Sequence, residues 1–212
     1  MRIAIVADEN QKGELLSGAI AKEASLIWLN DVKELEQHSS ADFFIDLLFE
    51  NTPHRINFLA QFLPKLIIIN SVSDTLAEVN SSFVRINAWS TFLSGNIIEA
   101  SSLQKQNKLE AEEVFSAFGK TIEWLPDIPG FVTPRVISMI INEAYFSLAE
   151  GVSTPGEIDT AMKLGTAYPY GPFEWGAKIG LQNIVTLLQK LSVIQPRYKP
   201  CELLVQETNR SI

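Results

Sequence analysis

Near its start the chain runs from an apolar stretch, Ile3-Ala4-Ile5-Val6-Ala7, into Asp8-Glu9-Asn10-Gln11-Lys12-Gly13. A strand passing into a helix at such a turn is where dinucleotide-binding proteins carry Gly-x-Gly-x-x-Gly. The glycines let backbone amides close on phosphates at the helix N-terminus. Only Gly13 is a glycine here, and Asp8 and Glu9 place two carboxylates where two phosphate charges would lie. In a partly shielded site, like charges at short range cost on the order of kcal/mol. Gly13 is therefore either a phosphate-side glycine or a helix-packing one. Asp31, just past a second apolar run, is either an acid that holds a ribose or a helix N-cap. The only histidines are His38 and His54, and the only cysteine is Cys201. That set excludes a disulfide within the chain and a thiolate zinc site, and no metal site is expected.

The elements that must position these groups change character along the chain. Up to about residue 125, short apolar runs alternate with helix-like stretches. The strands expected are Arg2–Ala7, Leu26–Leu29, Phe43–Leu48, Leu66–Asn70, Phe83–Ile86, Ile97–Ala100 and Thr121–Leu125. Helices are expected over Lys12–Glu23, His54–Phe62 and Leu103–Phe118. Alternation of this kind argues for parallel βαβ units in an open, doubly wound sheet. After Pro126 the strands stop. Helices are expected over Val132–Glu150, Pro155–Gly165, Gly180–Leu191 and Lys199–Thr208, with Gly171-Pro172 as a rigid connector. The fold class is thus α/β plus all-α, with an α/β domain over 1–126 and a helical domain over 127–212.

The chain has 212 residues, 46% hydrophobic and 20% charged, enough for a real core and unlike a disordered or fibrous chain. Its net charge of −8 argues against a nucleic-acid partner. No apolar run approaches the length needed to span a bilayer, and the N-terminal run is too short and too acidic in its flank for a secretory signal. A soluble protein of the reducing cytoplasm is expected, with no membrane partner.

The second half carries an ordered set of motifs: Pro129-Gly130-Phe131-Val132-Thr133-Pro134-Arg135, Ile141-Asn142-Glu143-Ala144, Glu150-Gly151-Val152, Ile158-Asp159-Thr160-Ala161-Met162-Lys163-Leu164-Gly165, Tyr168-Pro169-Tyr170-Gly171-Pro172-Phe173-Glu174 and Arg197-Tyr198-Lys199-Pro200-Cys201-Glu202-Leu203-Leu204. Together they closely resemble the C-terminal domain of 3-hydroxyacyl-CoA dehydrogenases. The resemblance implies a shortened Rossmann-like domain for NAD, a helical domain that pairs subunits into a homodimer, and an acyl-CoA ligand. It also implies a place in fatty-acid metabolism. The first half is similar to the family's dinucleotide domain in order, but lacks a helical excursion between Asp31 and Ala41. Glu50-Asn51 resembles the family's acidic-Asn pair, and Arg55 stands where the family has a lysine. With Gly13 and Asp31, Glu50 and Arg55 are the cofactor-side positions that the resemblance implies. Ile69-Asn70-Ser71-Val72-Ser73 resembles Ser-Asn-Thr-Ser and puts Ser73 on the substrate-hydroxyl serine.

The family's general base is a histidine followed twelve positions later by a glutamate that orients it. Glu99 matches the glutamate, and the base position is then Asn87. An amide takes no proton near neutral pH. Ser90 replaces the second asparagine of that motif, and the asparagine of Gly-Phe-Ile-Val-Asn-Arg falls on Pro134, which has no side-chain donor. The positions implied as catalytic are Ser73, Asn87 and Glu99. Glu99 alone is either a structural strand-end acid or a repurposed base. The first expectation is a family member whose dehydrogenase machinery is degraded. One alternative is a working NAD-dependent oxidoreductase using Glu99 and Ser73. Another is a structural or regulatory dimerisation partner.

Overall fold

In the computed structural model, which describes residues 1–18, 21 and 24–210, the apolar run at the start becomes β1 (Arg2–Val6), the second strand from one edge of a seven-stranded sheet. Along the chain follow α1 (Glu9–Leu15), β2 (Ser25–Leu29), a 3-10 helix (Val32–His38), β3 (Phe43–Asp46) and α2 (Pro53–Ala60). Then come β4 (Ile67–Asn70), β5 (Val84–Ile86), β6 (Ile97–Ser101), α3 (Lys105–Ser116) and β7 (Thr121–Trp124). The strand order is β2-β1-β3-β4-β5-β6-β7.

Strand alternation builds the two faces. Ile3, Ile5, Ile45 and Ile68 pack with Leu15 of α1 and Val114 and Phe115 of α3. Ala4, Val6, Phe44 and Ile69 pack with Val32, Leu35, Phe58 and Leu59 on the opposite face. The connection after β1 and the one after β3 therefore lie on opposite faces. This makes the sheet doubly wound, with its switch point between the carboxyl ends of β1 and β3.

The sheet departs from a simple βαβ repeat in two places. The alternation breaks between β4 and β5, where no helix intervenes. Residues 71–83 instead satisfy themselves in turns, as when Ser71 Oγ donates to the Asp74 carbonyl and Ser82 N–H to Asn80 Oδ1. Nor is the sheet wholly parallel, because β6 runs antiparallel to β5 and β7 then pairs parallel to β6. An antiparallel neighbour needs no crossover helix, so the short link from Ile86 to Ile97 suffices. The expected helix over Lys12–Glu23 begins earlier, at Glu9, and ends at Leu15. Its positions 19, 20, 22 and 23 lie outside the described residues.

The chain divides into two compact units, Met1–Phe131 and Val132–Ile212. The sequence placed the junction at Pro126. Residues 127–131 instead stay with the sheet unit, held by Arg85. This guanidinium is fully buried and donates to Asp127 Oδ1 (2.6 Å), to the Ile128 carbonyl (2.7 Å) and to the Ser71 carbonyl (3.1 Å). It also lies 4.2 Å from the centre of the Phe131 ring.

The helical unit holds α4 (Thr133–Ala149), α5 (Pro155–Thr166), α6 (Pro172–Ile179), α7 (Leu181–Ile194), a 3-10 turn (Pro196–Tyr198) and α8 (Glu202–Arg210). Ile137, Ile141, Ala144 and Tyr145 bury one side of α4. The segment read from sequence as a rigid connector is in fact the start of α6. Its first amides are capped from a distance: Asp159 accepts from Phe173 N (2.8 Å) and Glu174 N (3.1 Å). Gly171 gives this carboxylate room, since a Cβ there would stand 2.3 Å from Asp159. Among the described residues no helix is long and apolar enough to cross a membrane.

Candidate functional site

The antiparallel step between β5 and β6 explains the twelve-residue spacing. Arg85 pairs with Ser101 and Ile86 with Ala100, so the next residue outward, Asn87, faces Glu99. The Asn87 N–H donates to the Glu99 carbonyl (3.0 Å), and its side-chain Nδ2 donates to Glu99 Oε2 (3.2 Å). Its Oδ1 accepts from Trp89 N (3.3 Å). Asn87 is buried and Glu99 half-buried. The Asn87 carboxamide and the Glu99 carboxylate are thus held face to face by the β5–β6 register. Ser73 lies half-buried in the turn that follows β4.

The turn after β1 is occupied by its own side chains. Asp8 caps α1, its Oδ1 accepting from Gln11 N (2.8 Å), while Gln11 Oε1 accepts from Asp8 N (3.2 Å). This reciprocal capping box satisfies donors that a phosphate would otherwise take. Gly13 lies exposed inside α1, and a Cβ on it would meet nothing within 4 Å. Neither a close approach nor the turn requires glycine there.

Asp31 proves to be a cap: its Oδ1 accepts from Lys33 N (2.8 Å), and Glu34 Oε1 accepts from Asp31 N (3.0 Å). Glu50 is exposed. Arg55 grips the fully buried Asp46 with Nε (2.8 Å) and Nη2 (2.7 Å), and also donates to the Leu48 carbonyl (3.1 Å). Burial pushes the Asp46 carboxyl up, against the hydrogen bonds and charge of Arg55. The charges of Glu50 and Asp31 both act on Arg55, so these three positions lie near one another, while Gly13 stands exposed in α1. Among the described residues no cluster of His, Cys, Asp and Glu could hold a metal.

Three features of this edge escaped the sequence reading. Gln11 Nε2 and Asn70 Nδ2 both donate to the Leu47 carbonyl (3.0 and 3.2 Å), and Asn70 Oδ1 accepts from Ala88 N (3.0 Å). Glu14 Oε1 accepts from Thr91 N (2.7 Å) and holds the loop that follows Asn87. Arg85 was legible only as a charge inside the apolar run Phe83-Val84-Arg85-Ile86. Burial lowers its proton affinity, and the Asp127 carboxylate opposes that shift.

In the helical unit Pro134 sits in the first turn of α4, where a missing N–H costs nothing. Beside it, Arg135, Val136 and Ile140 of α4 and Tyr198 border a groove of about 510 Å³. Val132 and Val136 are 54% and 51% exposed on α4.

Residues 130–210 match the family described as 3-hydroxyacyl-CoA dehydrogenase, C-terminal domain. The 3-hydroxyadipyl-CoA dehydrogenase of Escherichia coli is 49% identical over 90 residues, 42% of this chain but 19% of that protein. A 3-hydroxybutyryl-CoA dehydrogenase of Bradyrhizobium diazoefficiens is 38% identical over 98 residues, 33% of its length. The similarity to these two relatives thus covers a third of their length or less. A probable 3-hydroxybutyryl-CoA dehydrogenase of Bacillus subtilis is 27% identical over 94% of this chain and 74% of its own length. The crystal structure of (S)-3-hydroxybutyryl-CoA dehydrogenase from Ralstonia eutropha superposes with a TM-score of 0.74. That match covers 99% of this chain and 94% of the other at 19% identity, a likeness of fold.

Proposed function

We propose that this chain, whose residues 130–210 match the C-terminal domain of 3-hydroxyacyl-CoA dehydrogenases, is a member of that family whose own hydride-transfer chemistry is lost or very slow. In this reading it keeps a homodimer through the helical unit and an acyl-CoA ligand, and works in the cytoplasm. The observation that carries the reading is Asn87, hydrogen-bonded to Glu99 in the place of a general base. A positioned base contributes about 10²–10⁴-fold, and a carboxamide cannot supply it. Pro134 removes a second polar group from the position that the family gives to asparagine.

The residues after β1 do not fit a dinucleotide pyrophosphate. Two carboxylates stand at the turn, and the Asp8–Gln11 box takes the Asp8 and Gln11 amides. Weak or absent NAD binding follows. The exposed apolar residues Val132 and Val136 on α4 support pairing of helical units, since burying such surface drives association.

Calorimetry of the purified protein against NAD, NADH and acetoacetyl-CoA tests the reading. Saturable binding of the thioester without saturable binding of either nucleotide is expected. A micromolar dissociation constant for NADH would overturn it. A monomer mass by light scattering at micromolar protein would reject the homodimer.

A further inference from the structure

The crevice between the carboxyl ends of β1 and β3 is where an open doubly wound sheet takes its ligand, because the flanking connections leave on opposite faces. Here that crevice is bridged from within. Gln11, in the first turn of α1 after β1, donates through Nε2 to the carbonyl of Leu47, the first residue past β3. Asn70, at the end of β4, donates to the same oxygen, so both acceptor directions of this carbonyl are taken. The Asn70 side-chain Oδ1 then accepts from Ala88 N–H, beside Asn87. The ends of β1, β3, β4 and β5 are laced by two amide side chains. The other end of the Gln11 amide is also engaged, since its Oε1 accepts from Asp8 N.

We propose that Gln11 is a strap that closes the switch-point crevice and is the residue that excludes a dinucleotide from it. The proposal rests on the reading that nucleotide binding is lost, and it names the cause. Missing glycines and added acids disfavour a phosphate, but a side chain bonded across the crevice occupies the space itself. A ligand entering there must break the Gln11 bond to Leu47 and leave a half-buried amide to find another partner. The charges of Asp8 and Glu9 are a separate barrier, one that salt would screen. The strap acts through occupied volume and is insensitive to salt.

The test uses the full chain and titrates ADP-ribose and NADH by calorimetry, at low and high salt. The proteins are the wild type, an Asp8→Gly/Glu9→Gly variant, and the same variant with Gln11→Ala added. Circular dichroism confirms the fold, and Gln11→Ser replaces Gln11→Ala if the latter does not fold. Removing the acids is expected to leave both probes without saturable binding. Adding the Gln11 substitution is expected to tighten binding at least about tenfold, the size of one lost and one gained polar interaction. If the double variant binds as well as the triple one, charge was the barrier and the strap is refuted. No gain in the triple variant refutes it equally. Micromolar binding by the wild type instead refutes the functional reading on which the strap depends.

Discussion

The helical unit and the carboxyl edge of the sheet unit spend their motif residues in different ways. In the helical unit Asp159 caps α6 across a bend in the chain, and Gly171 exists to let it, because any side chain there would overlap the carboxylate. These residue types serve the packing of the unit itself, whatever ligand it meets. At the sheet edge the positions that match a dehydrogenase's chemistry make contacts within the sheet unit itself. Asp8, Asp31, Arg55 and Asn87 have each settled into contacts with their own chain. The comparisons follow the same line. Identity to the Escherichia coli enzyme reaches 49% over a match of 90 residues, and falls to 27% against the Bacillus subtilis relative across nearly the whole chain.

This contrast can be broken most forcefully at Arg85. If the sheet edge is held by its internal contacts, Arg85→Ala should cost about 3–5 kcal/mol, because it leaves the Asp127 carboxylate shielded and unpaired. Urea denaturation with an unchanged slope would measure it, and a loss below about 1 kcal/mol would mean that the edge is not so held. In the helical unit, Asp159→Ala should cost about 1–2 kcal/mol, the value of a lost cap serving two amides. The same denaturation reads it, and no change would remove the structural account of the Ile158-Asp159 motif. At the small end lies Gly13→Ala, with the opposite sign. An exposed helix-interior glycine with open space around it should gain about 0.5–1 kcal/mol on becoming alanine. Thermal melting decides it, and destabilisation would show that the glycine has a duty the structure does not reveal.

Much of the scaffold was readable from the residues. Each expected strand lies within two residues of its observed limits, because the sheet faces alternate and Ile3, Ile5, Ala4 and Val6 segregate cleanly to opposite cores. The spacing of Asn87 and Glu99 was readable through the family resemblance, and the register of β5 and β6 gives it a physical cause. What escaped was whatever depends on a distant partner. The eight-residue helix α6 draws its cap from Asp159, outside any local window. The antiparallel entry of β6 is decided by where a loop returns, which alternation does not encode. Gln11 and Asn70 meet on one carbonyl although they are far apart in sequence. Arg85 hides its role because its acceptors come from two separate segments of the chain.

The central claim is that the Asn87–Glu99 pair no longer serves as a base. It is tested most directly by NADH formation from 3-hydroxybutyryl-CoA and NAD, measured side by side for the wild type and for Asn87→His. The account predicts no turnover above background for the wild type, and a small, partial gain for Asn87→His, whose imidazole would lie beside Glu99 while the strapped crevice still resists the nucleotide. A wild-type turnover of ordinary enzymatic size, above roughly 1 s⁻¹, would contradict it and show that this edge has found another base.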